Sequence, residues 1–442
     1  MSTKKSKQKI KHNKTQKSST NKSNTGWRLL SIKGTPYERG FQHGQTLSDE
    51  LLKIHEMFPK YIRKEMGFSF KTYIEKCKKL IPIIKSDCNE IYEEIRGIVD
   101  GCNSKNIIEP ITLEFIVAWN SMMSVCKSHS NKKHKKHPER CSIFIATGSY
   151  TENGEIVMAH NTHTDFITGK YVNIIMRVYP EKGHSFIMQT SPGLVWSLTD
   201  WFITDAGIIG CESTISDLNY DPKFGLPIFC RIRKVMQYAK TLDECANILT
   251  HKSAGDYACS WLLGNINTNE IMLFEQGLKY HNIKKTKDGV FYLANSPIDP
   301  IIRAKETTDK SFYDPNTSTG SRMLRLGQLL EIDYFGKLNV DSAKSIIADH
   351  YDMGLGKESL NNNSICNHNE TLKKHALPFG AVDGKVTTSS LAKKGEFFGR
   401  WGSSCGRDFN SKYFLRNTPK YKKWGVEYLP DFPKQPWVKI SI

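Results

Sequence analysis

The sequence predicts an α+β fold, with stacked antiparallel sheets between helical layers. In the first third of the chain, apolar residues recur at helical spacing. After residue 140 the chain becomes a long series of short apolar strands, interrupted by three helical stretches. Helices that cover the faces of sheets bury both kinds of apolar surface. A hydrophobic content of 38% is typical of a globular protein.

The chain divides into four segments. Residues 1–25 form a basic tail with eight lysines and no acidic residue, which we expect to be disordered. Residues 26–125 form a helical N-terminal segment, residues 126–140 form a basic loop, and residues 141–442 form a strand-rich body. The tail and the loop carry most of the net charge of +18 and are too polar to fold. The charge therefore predicts no specific nucleic-acid partner, although the basic tail could contact an anionic partner at the periphery of the protein.

The elements of the front third are one strand followed by helices. A strand is predicted at 27–32, and helices are predicted from 34 onwards, over 70–102 and over 111–126.

The body is predicted to alternate between groups of strands and long helices. Strands are predicted at 141–148, 155–161, 171–180, 185–191, 201–213, 260–266, 270–276 and 290–296, and helices at 226–251, 320–332 and 340–350.

Several classes of protein are not indicated. No stretch of about 18 apolar residues suggests a membrane span, and the lysines of the tail precede no apolar signal region. A cytosolic, virion or other intracellular location is therefore expected rather than secretion. The eleven cysteines form no CxxC pair, and no nucleotide-binding motif is present, so neither a metal nor a cofactor is expected. The histidines within 126–140 are surrounded by lysines that repel cations, and GSSCGRD (402–408) is interpreted as a turn.

Cys141 has an unusual position, because it begins a strand directly after the basic loop. If its thiol attacks the carbonyl carbon of Arg140, an acyl shift forms a thioester, and water then releases Cys141 as a new N-terminus. A free α-amine has a pKa of about 7.7–8.0 and can serve as base for its own thiol. We therefore expect Cys141 to be the nucleophile and Arg140–Cys141 to be a cleavage site.

The next strand ends in His160 and Asn161, which are candidate neighbours of the nucleophile. If the turn-like stretch GSYTENG forms one loop, the two strands pair with Asn161 opposite Cys141 and His160 beside it. A two-residue turn at 153–154 would instead place Phe166 opposite Cys141. The composition favours the longer loop, although a lone histidine in such a strand is more often packed or exposed than catalytic.

Blocks of residues along the chain resemble the N-terminal-nucleophile (Ntn) hydrolase superfamily. Three blocks resemble the acyl-coenzyme A:6-aminopenicillanic-acid acyltransferase branch: GTPYERGFQHG (34–44), YEEIRGIVDG (92–101) and ITDAGIIG (203–210). Four blocks resemble the phospholipase B-like branch: RCSIFIA…VMAHNT (140–162), SPGLVWSLTDWFITDAGIIGCESTI (191–215), GAVDGKVTTSSLA (380–392) and PWVKISI (436–442). The blocks span about 34–442, and those at the C-terminus favour the phospholipase B-like branch.

This resemblance implies a four-layer αββα sandwich, self-cleavage before Cys141, and hydrolysis of an acyl amide or an acyl ester such as a phospholipid. It implies Cys141 as nucleophile, with His160 and Asn161 as neighbouring catalytic groups. Substrate-binding positions would be Thr190, Ser191, Asn295 and Arg322, the last of which could hold a carboxylate or phosphate. The implied partner is a small acyl substrate, either a lipid or an amide.

One segment departs from both branches, which tend to have an oxyanion-binding asparagine where this chain reads DYACSWLLGN (256–265). Here Ala258, Cys259 and Ser260 occupy that region, so backbone N–H groups or Ser260 would have to donate instead. Two alternatives therefore stay open. One is an acyltransferase on the same scaffold, and the other is a catalytically degenerate binding protein.

Overall fold

The structure is a computed structural model that describes residues 21–442, apart from 23–24, 68, 106–107, 127–140, 199–200, 217, 219–224, 254, 311, 372–377, 419–420, 423 and 426. Helices and strands alternate in the mixed α+β manner that the sequence predicts. Elements are numbered below in chain order. The basic tail up to residue 20, the loop at 127–140 and its cleavage-site residue Arg140 lie outside the described residues.

One sheet has nine strands and is antiparallel except where β2 runs parallel to β5. In spatial order its strands are β1 (Asn21–Lys22), β2 (Arg28–Gly34), β5 (Ile174–Pro180), β6 (Phe186–Thr190), β7 (Trp201–Thr204), β8 (Ile208–Thr214), β9 (Cys259–Asn265), β10 (Glu270–Gln276) and β11 (His281–Thr286). The parallel pair joins a strand of the front segment to a strand that follows Cys141.

The other large sheet has six antiparallel strands. In spatial order they are β12 (Gly289–Leu293), β3 (Ser142–Gly148), β4 (Gly154–Asp165), β15 (Phe379–Thr388), β16 (Glu396–Trp401) and β17 (Val438–Ser441). A separate small hairpin is formed by β13 (Tyr351–Asp352) and β14 (Lys357–Glu358). The sequence did not predict β1, β11, β13, β14, β15, β16 or β17, and β1 lies within the tail that was expected to be disordered.

The helices form two groups, before and after Cys141. The first group is α1 (Pro36–Thr46), α2 (Ser48–Tyr61), α3 (Phe70–Lys78), α4 (Ile81–Asp87), α5 (Asn89–Asn103), α6 (Leu113–Asn120) and α7 (Met122–Cys126). The second group is α8 (Phe166–Gly169), α9 (Ile228–Tyr238), α10 (Leu242–Thr250), α11 (Pro300–Glu306), α12 (Ser318–Gln328), α13 (Val340–Ile347), α14 (Ser389–Ala392) and α15 (Ser411–Asn417). None of the helices among the described residues has the length and apolar character needed to cross a bilayer.

The two large sheets meet at β3, which contacts β8, β9 and β10. Helices α9 and α10 contact strands of the nine-stranded sheet, whereas α12 and α13 contact strands of the six-stranded sheet. Buried apolar residues from both sheets, such as Ile143 and Trp261, belong to the same core cluster. Strands β3 and β4 therefore lie in the interior of the molecule, and so does any polar group that they carry.

The front segment is held together by a close crossing of α1 and α5. Gly40 and Gly44 on α1 face Gly97 and Gly101 on α5, and each of the four is packed against backbone atoms of the other helix. A Cβ atom added to Gly44 would overlap the carbonyl oxygen of Ile98. The absence of side chains lets the two backbones touch.

We expect Gly44→Ala to lower the free energy of unfolding by about 1–3 kcal/mol, because the helices must separate to admit the methyl group. Urea denaturation followed by circular dichroism measures this change. Gln45→Ala, at the exposed neighbouring position on α1, is the control and should leave stability nearly unchanged. Equal stability of the two variants would contradict a close helix crossing.

Candidate functional site

The pairing of β3 with β4 decides which side chains lie near Cys141. Ser142 pairs with Asn161 and Ile143 with His160, and a bulge interrupts the ladder between Ala146 and Gly148. The longer loop is thus formed, but the bulge shifts the register by one residue from the sequence-based expectation. Asn161 is opposite Ser142, and the residue level with Cys141 is Thr162.

Asn161 points away from the nucleophile because neighbouring residues of a strand face opposite sides of a sheet. Its side-chain amide donates hydrogen bonds to the carbonyl oxygens of Ile347 (2.6 Å) and Ile365 (3.1 Å). Its side-chain oxygen accepts a hydrogen bond from Ser404. The structure therefore does not bring Asn161 to Cys141, and instead places it under the loops on the outer face of the sheet.

Cys141 is buried and has a left-handed backbone conformation, with φ of 68°. This conformation is costly for a residue with a side chain, by roughly 1–3 kcal/mol. The carbonyl oxygen of Cys141 accepts a hydrogen bond of 2.5 Å from Nη1 of Arg322, which is also fully buried. Arg322 thus holds the backbone of the candidate nucleophile in place.

The guanidinium group of Arg322 also forms hydrogen bonds with other side chains of the protein. Nη1 lies 3.2 Å from the Ser142 hydroxyl, and Nη2 donates to the side-chain oxygen of Asn295 at 3.0 Å. The Asn295 amide in turn donates to the carbonyl oxygen of Thr214 at 2.9 Å. Two of the predicted substrate-binding residues, Asn295 and Arg322, therefore lie together near Cys141, but their contacts support the backbone rather than present an open anion site.

A small cavity of about 40 Å³ lies beside Cys141, with room for a few water molecules. Its apolar wall includes residues from α2, α7 and the loops after α8 and β6, namely Tyr61, Met122, Met123, Val172 and Leu198. Its polar wall includes Thr162, His163, Asp165, Glu212, Thr214 and Tyr257. Five of these polar side chains come from the end of β4 and the end of β8, so the cavity lies between the two sheets.

Glu212 supplies a carboxylate to this cavity. One oxygen, Oε1, accepts hydrogen bonds from the Tyr257 hydroxyl at 2.6 Å and from Thr214 Oγ1 at 3.3 Å. The other oxygen, Oε2, is buried without a hydrogen-bond partner among the described residues. A buried carboxylate oxygen of this kind can accept a hydrogen bond from an amine or hydroxyl that enters the cavity.

His160 is held by a directed set of hydrogen bonds. Nε2 lies 3.1 Å from the carbonyl oxygen of Glu212 and must therefore carry the proton, which leaves Nδ1 to accept from Thr162 Oγ1 at 3.4 Å. Burial lowers the pKa of His160 well below 6.5, and the nearby Lys385 ammonium lowers it further. The ring is neutral and links β4 to β8. Among the described residues, His160 is not one of those that line the cavity beside Cys141.

A buried ion pair lies next to this histidine. Lys385 and Asp383 are fully buried on β15, with Nζ 2.7 Å from the carboxylate. Nζ also donates to Thr162 Oγ1 and to Gln189 Oε1, each at 2.7 Å, and the Gln189 amide donates to Asp383 at 2.7 Å. Every group of the pair has polar partners, which is the condition under which charges remain stable inside a protein.

Other predicted residues lie outside the cavity wall. Thr190 Oγ1 donates to the carbonyl oxygen of Trp196 at 2.7 Å, and Ser191 Oγ is buried without a hydrogen bond to any described residue. Cys259 is part of the apolar core, and Ser260 Oγ likewise has no hydrogen-bond partner in the part of the chain that the structure describes. From the segment where an asparagine was expected, the structure brings Tyr257 to the cavity instead.

The sequence did not single out Thr162, Glu212, Tyr257 or Lys385. All four lie in quoted blocks, but they were not distinguished from their apolar neighbours. The pattern of an aspartate and a lysine inside the apolar stretch GAVDGKVTT could have indicated a buried polar strand.

A second group of reactive side chains lies in the loops on the outer face of the six-stranded sheet. It consists of His350, Cys366, His368 and Cys405, whose ligand atoms all lie within 4.8 Å of one another. The sequence predicted no metal site, and it interpreted the segment around Cys405 as a turn. Among the described residues, these four could hold a metal ion.

No family model matches the chain, and three curated proteins have distant similarity to it. An uncharacterized protein of Archaeoglobus fulgidus is 23% identical over 260 residues, which covers 51% of this chain and 39% of that protein. Protein dcd1A of Dictyostelium discoideum is 23% identical over 320 residues, 65% of this chain and 67% of that protein. "Putative phospholipase B-like 3" of Caenorhabditis elegans is 23% identical over 196 residues, 39% of this chain and 33% of that protein. The chain thus has distant similarity to a phospholipase B-like protein.

We expect Asp383→Asn to lower the free energy of unfolding by about 3–5 kcal/mol, because it leaves the Lys385 ammonium buried without its carboxylate. The measurement is chemical denaturation of the purified protein. In the double variant Asp383→Asn/Lys385→Met, the cost should be smaller than the sum of the two single costs. Additive costs would show that the two residues do not interact. Asp243→Asn, which breaks an exposed pair with Lys285, is the control and should change stability little.

Proposed function

We propose that this chain is a self-processing cysteine hydrolase of the Ntn type, related to the phospholipase B-like proteins. In this proposal the two stacked sheets and the helices outside them form a four-layer αββα sandwich. The observation that carries the proposal is the environment of Cys141: a buried cysteine in a strained conformation, with its carbonyl oxygen bound by Arg322, beside a cavity with a buried carboxylate.

The first proposed step is cleavage of the bond between Arg140 and Cys141. The Cys141 sulfur attacks the carbonyl carbon of Arg140, the C–N bond breaks as the amide nitrogen takes up a proton, and a thioester forms. Water then hydrolyses the thioester, which gives a carboxylate on Arg140 and a free thiol and α-amine on Cys141. The strain at Cys141 supports this step, because φ is defined by the bond to residue 140. Once that bond is cut, the conformation no longer has a cost.

The second proposed step is turnover of a substrate by the same thiol. The α-amine of Cys141, part of which is unprotonated near neutral pH, accepts the thiol proton as the sulfur attacks an acyl carbon. Glu212 Oε2 is available to accept a hydrogen bond from that amine or from the substrate. Backbone N–H groups are the candidate donors to the oxyanion, because the single proton of the Tyr257 hydroxyl is already donated to Glu212 Oε1.

The substrate class that fits this chemistry is an acyl amide with a non-peptide C–N bond or an acyl ester such as a phospholipid. The distant similarity to a phospholipase B-like protein supports a hydrolase. The cavity of about 40 Å³ is too small for an acyl chain. We infer that the cavity must widen before substrate enters.

We expect Cys141→Ala to abolish cleavage, because no nucleophile remains, and Cys141→Ser to slow it, because a hydroxyl is a weaker nucleophile than a thiol. Denaturing gels with N-terminal sequencing should show a fragment that begins Cys-Ser-Ile-Phe only in the unaltered chain and in controls. Cys259→Ser, at another buried strand cysteine, should cleave normally. An unaltered chain that stays intact, or a Cys141→Ala chain that is cut at the same bond, would refute the self-processing proposal.

We expect Arg322→Lys to slow cleavage about ten- to a hundredfold, since it removes charge-assisted hydrogen bonds worth about 1.5–3 kcal/mol each. A time course of fragment formation after refolding measures the rate. Arg325→Lys, on the same helix but paired with Asp349, is the matched control and should cleave at the normal rate. If both variants cleave at the normal rate, Arg322 does not position Cys141.

A further inference from the structure

Four side chains from three separate segments converge on one point outside the catalytic cavity. They form what we call the His/Cys cluster, which consists of His350, Cys366, His368 and Cys405. His350 follows α13, Cys366 and His368 lie in the loop after the β13–β14 hairpin, and Cys405 lies in the turn after β16. Two sulfurs and two imidazole nitrogens make up the set of ligand atoms.

The distances within the cluster match those around a tetrahedral metal ion. His368 Nε2 lies 3.2 Å from His350 Nε2, 3.6 Å from Cys366 Sγ and 3.5 Å from Cys405 Sγ. Zinc binds sulfur at about 2.3 Å and nitrogen at about 2.0–2.1 Å, so its tetrahedral ligand atoms lie about 3.3–3.8 Å apart. A zinc ion at the centre would therefore need little movement of the four side chains.

The surroundings of the cluster orient its ligands. The other ring nitrogen of His368, Nδ1, lies 2.7 Å from the Glu370 carboxylate, which turns Nε2 towards the cluster. Carboxylates commonly orient metal-bound histidines in this way. The backbone N–H of Arg407 lies 3.4 Å from Cys405 Sγ, as expected of a donor to a thiolate.

The loops that carry the cluster are attached to β4. Asn161 donates hydrogen bonds to the carbonyl oxygens of Ile347 and Ile365, and it accepts one from Ser404. Each of these partners lies within three residues of a cluster residue. The cluster therefore lies behind β4, on the opposite side of the strand from His160 and Thr162.

We propose that the His/Cys cluster binds one zinc ion in a closed Cys₂His₂ site. Four protein ligands fill a tetrahedral coordination sphere and leave no position for a substrate or a reactive water. Sulfur and imidazole ligands in this geometry select zinc over harder cations such as magnesium or calcium. The role of the ion is structural, since it cross-links the loops that cover the outer face of β4. This proposal does not depend on the activity of Cys141.

The test is the metal content of the full chain, purified without a histidine tag from zinc-supplemented medium under reducing conditions. Mass spectrometry should find about one zinc per chain, and X-ray absorption should find two sulfurs and two nitrogens at the distances above. Cys366→Ser and Cys405→Ser should each lose most of the zinc. Two controls should keep it: Cys245→Ser, at an equally buried cysteine outside the cluster, and a variant with His129, His134 and His137 changed to Asn.

A second measurement avoids variants that fail to fold. Removal of zinc from the unaltered chain with a chelator should lower the midpoint of thermal unfolding, and added zinc but not magnesium should restore it. The proposal is overturned if the reduced chain holds less than about a tenth of a zinc ion per molecule. It is also overturned if both cluster cysteine variants keep their zinc, or if peptide mapping finds Cys366 and Cys405 joined in a disulfide.

Discussion

The pairing of β4 between β3 and β15 is the constraint on which the described chemistry depends. This strand of twelve residues is buried along most of its length, so its polar side chains need partners on both faces. On one face, His160 and Lys385 both bond to Thr162, and Thr162 lines the cavity beside Cys141. On the other face, Asn161 binds the loops that carry the His/Cys cluster. Because side chains alternate between the two faces of β4, this strand separates a candidate catalytic face from a structural face.

The polar groups buried between the two sheets cost more free energy of folding than apolar side chains would cost in the same place. A buried ion pair is often no more stabilising than hydrophobic residues of the same volume. The Glu212 oxygen that has no hydrogen-bond partner among the described residues adds a further cost. Such groups concentrate where they have a chemical task. The left-handed conformation of Cys141 adds strain at the same place. Glu212 and the strained Cys141 line the same small cavity, which distinguishes Cys141 from the nine other cysteines described, none of which lines this cavity.

Apolar periodicity was enough to predict the α+β class, the helical front third and the position of Cys141 at the start of a strand. It could not predict the bulge between Ala146 and Gly148, which shifts Asn161 by one residue and so moves it to the other face. The central strand β15 was missed because its glycines, Asp383 and Lys385 look like a loop until their buried partners are known. The His/Cys cluster was missed because its ligands are spread over 350–405 and meet only through tertiary packing. Each of these three missed features depends on contacts between distant parts of the chain, which local sequence patterns do not encode.

The parallel pair of β2 and β5 joins a strand before Cys141 to a strand after it. While the chain is continuous, the covalent connection raises the effective concentration of the front segment for its place in the nine-stranded sheet. Once β2 has paired and α1 to α7 have packed, that connection contributes little to holding the two parts together. The bond between residues 140 and 141 then serves assembly rather than the finished fold. A break at this point would convert one chain into two interlocked ones, without an exposed sheet edge between them.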